Sequence, residues 1–208
     1  MIGILLALQV NNWNEKQQER RLENSYLVSI KRDLLRDKEG LIKIIDLRKG
    51  KLESLNILIE NFKVVNESQY PSDIKSHFFR MAAWKVFNPN DNTIVEIISS
   101  GKMSIIKHQG IKNDLLDLRN LYVILTDLRG HMRREYEEYI FNTLFKIDME
   151  LLLTDEGTKK YMRKILQIPT FKNGLYAARV NQRILVKHSE KILEVVNNLL
   201  DKIDKELE

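Results

Sequence analysis

From Leu22 to Phe62 apolar residues recur at Leu22, Tyr26, Leu27, Ile30, Leu34, Leu41, Ile45, Leu52, Leu55, Ile59 and Phe62, the three-and-four spacing of one helix face. That stripe predicts one long helix. Gly40 and Gly50 lie inside it, each costing on the order of 1 kcal/mol relative to Ala, so they mark places for a bend or a close helix contact. The helix should stop before Tyr70-Pro71, because the residue preceding a proline is pushed out of the helical region. Ser72 or Asp73 can then cap a short helix carrying Ile74, Phe78, Met81, Ala82 and Trp84, which ends in the turn-rich "NPNDN" of 88–92. Thr93 and Glu96 have the spacing of a capping box for a second short helix with Ile94, Ile97 and Ile98, ending at Gly101.

After the link "KMSIIKHQG", another long helix is predicted from about Lys112 to Leu152, with Leu115, Leu118, Tyr122, Leu125, Met132, Tyr136 and Tyr139 close to a heptad frame and Gly130 as its weak point. "TDEG" at 154–157 restarts the chain, a basic helix runs to about Gln167, and Pro169 and Gly174 bracket a turn. The last helix carries Leu175, Leu185, Ile192, Val195, Val196, Leu199, Ile203 and Leu207. The class is all-α: an elongated antiparallel helical bundle of three long helices and several short connecting ones. At 1.5 Å per residue, helices of roughly 30 to 50 residues are roughly 50 to 75 Å long.

The opening stretch follows a different pattern. Met1 to Val10 are almost wholly apolar, about half of the roughly 20 residues that a spanning helix needs. No basic leader or small-residue cleavage site makes it a secretory signal. Periodicity alone favours an apolar end folded onto the bundle. The alternative is that residues 1–12 are the C-terminal half of a transmembrane helix whose beginning lies outside this sequence, followed by a single bundle domain over 13–208. Ile2, Ile4, Leu5, Leu6, Leu8 and Val10 would then face lipid, and Trp13, flanked by Asn11, Asn12 and Asn14, would anchor at headgroup depth.

The segments "IGILLALQVNNWNE" from Ile2 to Glu15 and "IISSGKMSIIKHQGIKNDLLDLRNLY" from Ile97 to Tyr122 resemble a bacterial family of uncharacterised membrane-anchored helical proteins. In that family an N-terminal span ends in a "GILIALQINNWNE"-like signature. The similarity is close over Ile2 to Glu15, recognisable around Ser99 to Leu118 and compositional elsewhere. Members carry a further stretch before the position of Met1, so the resemblance decides for the anchor over the folded-back end. It implies a single-pass protein with an extracytoplasmic body, and it carries over no activity and no site residue. Lys16, Arg20 and Arg21 argue for the cytoplasmic alternative, since the positive-inside rule counts basic residues beside a span.

Composition removes several chemistries. Without cysteine there is no thiol nucleophile, disulfide or cysteine-bound metal. His77, His108, His131 and His188 are scattered with no His-x-x-x-His spacing, so no metal and no cofactor is expected. His131, Glu135 and Glu138 in "HMRREYEEY" read as a solvated charged face interrupted by core tyrosines. "SSGK" at 99–102 lacks both the leading glycine and the trailing Ser or Thr of a phosphate loop, and a helix C-cap accounts for Gly101.

Thirty-four basic residues against 29 acidic name no partner. One segment does stand out: 157–189 has eight basic residues and no acid. Lys159, Lys160, Arg163 and Lys164 could touch an anionic surface. Pairing with the six acids of 190–208 is the expected use of this charge, and nucleic acid is disfavoured.

These readings predict a non-enzymatic, membrane-tethered scaffold, sensor or interaction module that meets a protein partner or a second copy. A small-ligand sensor bundle is the alternative, signalled by a cavity lined by Trp84, Phe87, Arg119 or Arg129. A nucleic-acid binder using 157–189 is the weaker one.

Overall fold

The structure, a computed structural model, describes residues 2–63 and 69–208, without the side chains of 2, 3, 5 and 7. The expected lipid contacts Ile2 and Leu5 therefore lie outside the described side chains. The fold is an all-α helical bundle, with no strand among the described residues. Its elements are α1 (Ile2–Glu60), α2 (Ile74–Ala82), α3 (Asn92–Ser99), α4 (Gln109–Tyr136), the single turn α5 (Asn142–Leu144), α6 (Asp155–Leu166) and α7 (Pro169–Leu207). Helices α1, α4 and α7 are the long ones, at 59, 28 and 39 residues.

The chain divides into two compact units, the first made of 1–41, 88–122 and 192–208 and the second of 42–87 and 123–191. In the first, Leu27, Ile30, Leu34 and Leu41 of α1 are buried, as are Ile94 and Ile97 of α3, Leu115 and Leu118 of α4, and Leu199 and Ile203 of α7. In the second, Leu55 and Leu58 of α1 share a core with Ile74, Phe78 and Met81 of α2, Tyr136 of α4, Tyr161 and Ile165 of α6, and Phe171 and Leu175 of α7. Each unit thus buries the stripe of several helices at once, which is what amphipathic helices too short on apolar surface to stand alone require.

Several sequence expectations change. The apolar opening and the charged helix after it are one uninterrupted helix, α1. The capping box at Thr93 does not form: α3 begins at Asn92, and the Thr93 hydroxyl donates to Asp33 on α1 instead. With the helix starting one residue earlier, Thr93 lies inside its first turn, and its hydroxyl ties α3 to α1 instead of capping it. The long helix expected to reach Leu152 gives way after Tyr136 to a π-helical turn, Glu137–Phe141, and then to α5. Tyr139, assigned to the core, is exposed on that turn.

Pro169 and Gly174 do not bracket a turn either. Proline is the first residue of α7, where it has no backbone bond to lose, and the helix runs through Gly174. A Cβ at Gly174 would lie 2.9 Å from Tyr139 Cβ and 3.0 Å from Ile140 Cγ1, so this glycine lets α7 cross against the π-helical turn. "TDEG" does start α6: the Thr154 hydroxyl accepts from the Gly157 amide at 3.0 Å. Gly101, at φ 70°, ends the α3 turn in the left-handed region, as a C-cap glycine does.

Candidate functional site

The stripe of α1 continues through the second unit as Ile44, Arg48, Lys51, Leu55 and Leu58, so two basic residues occupy successive inward positions. Both are buried, Arg48 at 5% and Lys51 at 6% exposure. They line a cavity of about 60 Å³ together with Arg80 from α2, Trp84 and Lys85 from the segment after it, and Gln182 from α7. No carboxylate is among the lining residues.

Packing fixes each of these side chains. Gly50 leaves α1 bare where Arg80 lies, its Cδ 3.6 Å from the place a Cβ would take. The Lys51 ammonium donates to the Ala83 carbonyl at 2.8 Å, and sits 4.5 Å from the Tyr136 ring centre and 5.5 Å from that of Trp84. Tyr136 is held in turn by a hydroxyl bond to the Ala82 carbonyl at 2.6 Å. Arg48 has no such support: its Nε and one terminal nitrogen are buried without a hydrogen-bond partner among the described residues, and so is the Trp84 indole nitrogen.

The electrostatics follow from that enclosure. Burial first, and the neighbouring Arg48 charge second, pull the Lys51 ammonium down to about 7. Burial and then Arg129 pull the Arg48 guanidinium down to about 10, which still leaves it charged at neutral pH. Burial pushes the Tyr136 hydroxyl up, out of reach of ionisation, so it contributes a ring face and a dipole but no charge.

Of the four residues expected to line a ligand cavity, Trp84 does so. Arg129 lines an adjoining hollow with Trp84 and Arg133 and donates to the carbonyl of Phe87, whose side chain is buried. Arg119 belongs to the first unit, 3.6 Å from Asp91. Arg48, Lys51 and Arg80 escaped the sequence reading, although basic residues at two consecutive stripe positions were the signal.

At the start of α1, Ile4, Leu6, Leu8, Val10 and Trp13 are exposed, Trp13 at 63%. No described helix is long and apolar enough to cross a membrane. On α6, Lys160, Arg163 and Lys164 are exposed and Lys159 is half-buried. Asp204 meets Lys31 at 2.7 Å and Glu206 meets Arg20 at 2.8 Å in the first unit, while in the second Glu190 meets Lys49 at 2.7 Å. Lys160 pairs at 2.9 Å with Glu156 on its own helix. A four-residue step along one helix is a shorter search than a long-range pairing.

His77 is buried between the Ser54 hydroxyl at 3.2 Å and Asp73 at 3.1 Å. His108 accepts the Ile111 amide at 3.2 Å, capping α4. His131 is exposed beside Arg134, and Glu135 accepts from Asn181 at 2.9 Å. Among the described residues no group of three or more His, Asp or Glu is placed to hold a metal ion.

No curated protein and no solved structure matches the chain. A family model does match residues 1–145, more than two thirds of the sequence and all of α1 to α4. The chain therefore belongs to the family of unknown function DUF6090.

Proposed function

We propose that this protein is a non-enzymatic, membrane-tethered helical bundle that acts as a sensor or interaction module. The observation that carries the reading is the run of exposed apolar side chains, Ile4, Leu6, Leu8 and Val10, ending at Trp13. A contiguous apolar run with an aromatic residue and three asparagines at its edge, then Lys16, Arg20 and Arg21, matches the layered chemistry of a bilayer: hydrocarbon, headgroup and anionic surface. The buried carboxylates Glu23, Asp33 and Asp37 support a non-catalytic body, since each is spent on bonds that hold helices together. Lys159, Lys160, Arg163 and Lys164 form a secondary contact at most, because Lys160 is already paired.

Flotation of the full chain with phosphatidylcholine–phosphatidylglycerol vesicles tests the tether. The protein should rise with the vesicles, and Leu6→Glu with Val10→Glu should lower the bound fraction roughly tenfold or more, given what burying two such side chains contributes. Equal flotation of the charged variant, or none by either, would sink the proposal. The body is assigned to the extracytoplasmic side on the strength of the resemblance and against the basic flank. Protease added to intact spheroplasts should then digest it; protection would move it to the cytoplasm.

A further inference from the structure

We propose that the cavity bounded by Arg48, Lys51, Trp84 and Gln182 is a binding site for a small organic carboxylate. The assignment is independent of the tether, since it needs only the folded second unit. A buried guanidinium with unpartnered nitrogens is costly in a native structure unless something satisfies it. No protein carboxylate lines the cavity, so nothing in its wall balances the charge of Arg48 and Lys51.

Charge and wall chemistry select the ligand. Arg48 and Lys51 put two nearly buried cationic heads at the cavity, and its wall holds no anion to balance them. Trp84 adds an aromatic wall with no acceptor atom that would repel an anion. Arg80 and Lys85, both exposed, would draw an anion towards the cavity. The rest of the wall is apolar, with Ile44, Leu47 and Leu185 beside the Trp84 ring. A ligand with one charged end and a short hydrocarbon body satisfies both surfaces, whereas inorganic phosphate, charged on every side, satisfies one. The volume of about 60 Å³ restricts it to a few heavy atoms.

Lys51 makes occupancy report on protons. It is faced by Arg48 on its own helix, by Arg80 and Lys85 from α2 and the segment after it, and by uncharged Tyr136 and Gln182 from α4 and α7; Arg129 lies beyond Arg48. A carboxylate entering this all-cationic surround favours protonated Lys51, so binding slightly above neutral pH takes up a proton.

Calorimetry and thermal unfolding of the full chain with butyrate, inorganic phosphate and chloride at matched ionic strength test the site. Butyrate should give a saturable heat and a rise of a few degrees in Tm, phosphate a clearly weaker response and chloride none. Arg48→Met should weaken butyrate binding roughly tenfold or more, as loss of a charged hydrogen bond does. Lys85→Gln, an exposed change that leaves the fold intact, should weaken it less. Titration at pH 8 in two buffers of different ionisation heat should show proton uptake that Lys51→Met removes. No saturable butyrate response, an equal response to phosphate, or an unchanged one in Arg48→Met would overturn the assignment.

Discussion

The two units treat buried charge in opposite ways. In the first, Asp37 is 1% exposed and accepts from the Tyr122 hydroxyl and from both the backbone and side-chain N–H of Asn90, the latter two at 2.8 Å. Glu23 takes the Lys107 amide at 2.6 Å and Asp33 takes the Thr93 hydroxyl. In the second unit the buried charges are Arg48 and Lys51, without a carboxylate beside them. The first unit meets each buried charge with matched donors, whereas the second leaves Arg48 with two buried nitrogens unbonded among the described residues. The pKa directions agree. Burial raises the Asp37 carboxyl, with the bonds from Tyr122 and Asn90 opposing it, while burial and the Arg48 charge both lower Lys51.

Removing Asp37 should cost as much as truncating a core leucine. Asp37→Ala removes the acceptor of the Tyr122 hydroxyl and of the two Asn90 donors and should cost about 3 kcal/mol in urea denaturation. Leu34→Ala and Leu199→Ala in the same unit, and Leu125→Ala in the other, calibrate the scale at about 2 to 5 kcal/mol, since all three are buried. A small loss from Asp37→Ala would mean that its bonds are replaceable and that the first unit is no better satisfied than the second.

The converse experiment has the opposite sign. Without added carboxylate, Arg48→Met should raise stability by about 1 to 3 kcal/mol, because an isosteric apolar side chain replaces an unpaired buried charge. A loss comparable with Asp37→Ala would break the comparison and place an internal partner on Arg48.

The pH dependence follows from Lys51. Its folded value of about 7 lies below the ordinary 10.5, so its neutral form is the one the fold favours. Its contribution is fully present above the unfolded value and is lost as pH falls towards 7. Stability should therefore climb by up to about 1.4 kcal/mol per pH unit between those limits, and Lys51→Met should flatten the climb. Asp37, raised rather than lowered, works the other way, its contribution fading as pH rises through the carboxylate range. An unchanged slope in Lys51→Met would show that the ammonium stays hydrated.

The smallest effect is expected at His131. It is exposed on the charged face of α4, and His131→Ala should stay within about 0.5 kcal/mol by the same denaturation assay.

Much of this was legible in local pattern. The α1 stripe, the Thr154 cap and the Gly101 C-cap depend on neighbours within a turn or two, so nearby residues suffice to read them. Pro169 and Gly174 were misread because a first-turn proline and a mid-helix glycine have the same spelling as a turn; only the approach of Tyr139 and Ile140 shows what Gly174 is for. Thr93 was misread because Asp33, 60 positions away, was invisible to its neighbours. The π-helical turn after Tyr136 has no local signature at all, and it exists where α7 crosses.

By itself, then, the order of residues determined which positions of each helix turn inward, because a 3.6-residue repeat is a property of the backbone. It also put Arg48 and Lys51 on that inward face. Whether such long basic side chains would extend past the core into water was not a local matter. Trp84 and Tyr136, arriving from the segment after α2 and from α4, close over Lys51, and Gln182 from α7 completes the wall beside Arg48. Enclosure by three separate parts of the chain is what turns two stripe positions into a charged cavity, since desolvation depends on every neighbour in space and on none in sequence.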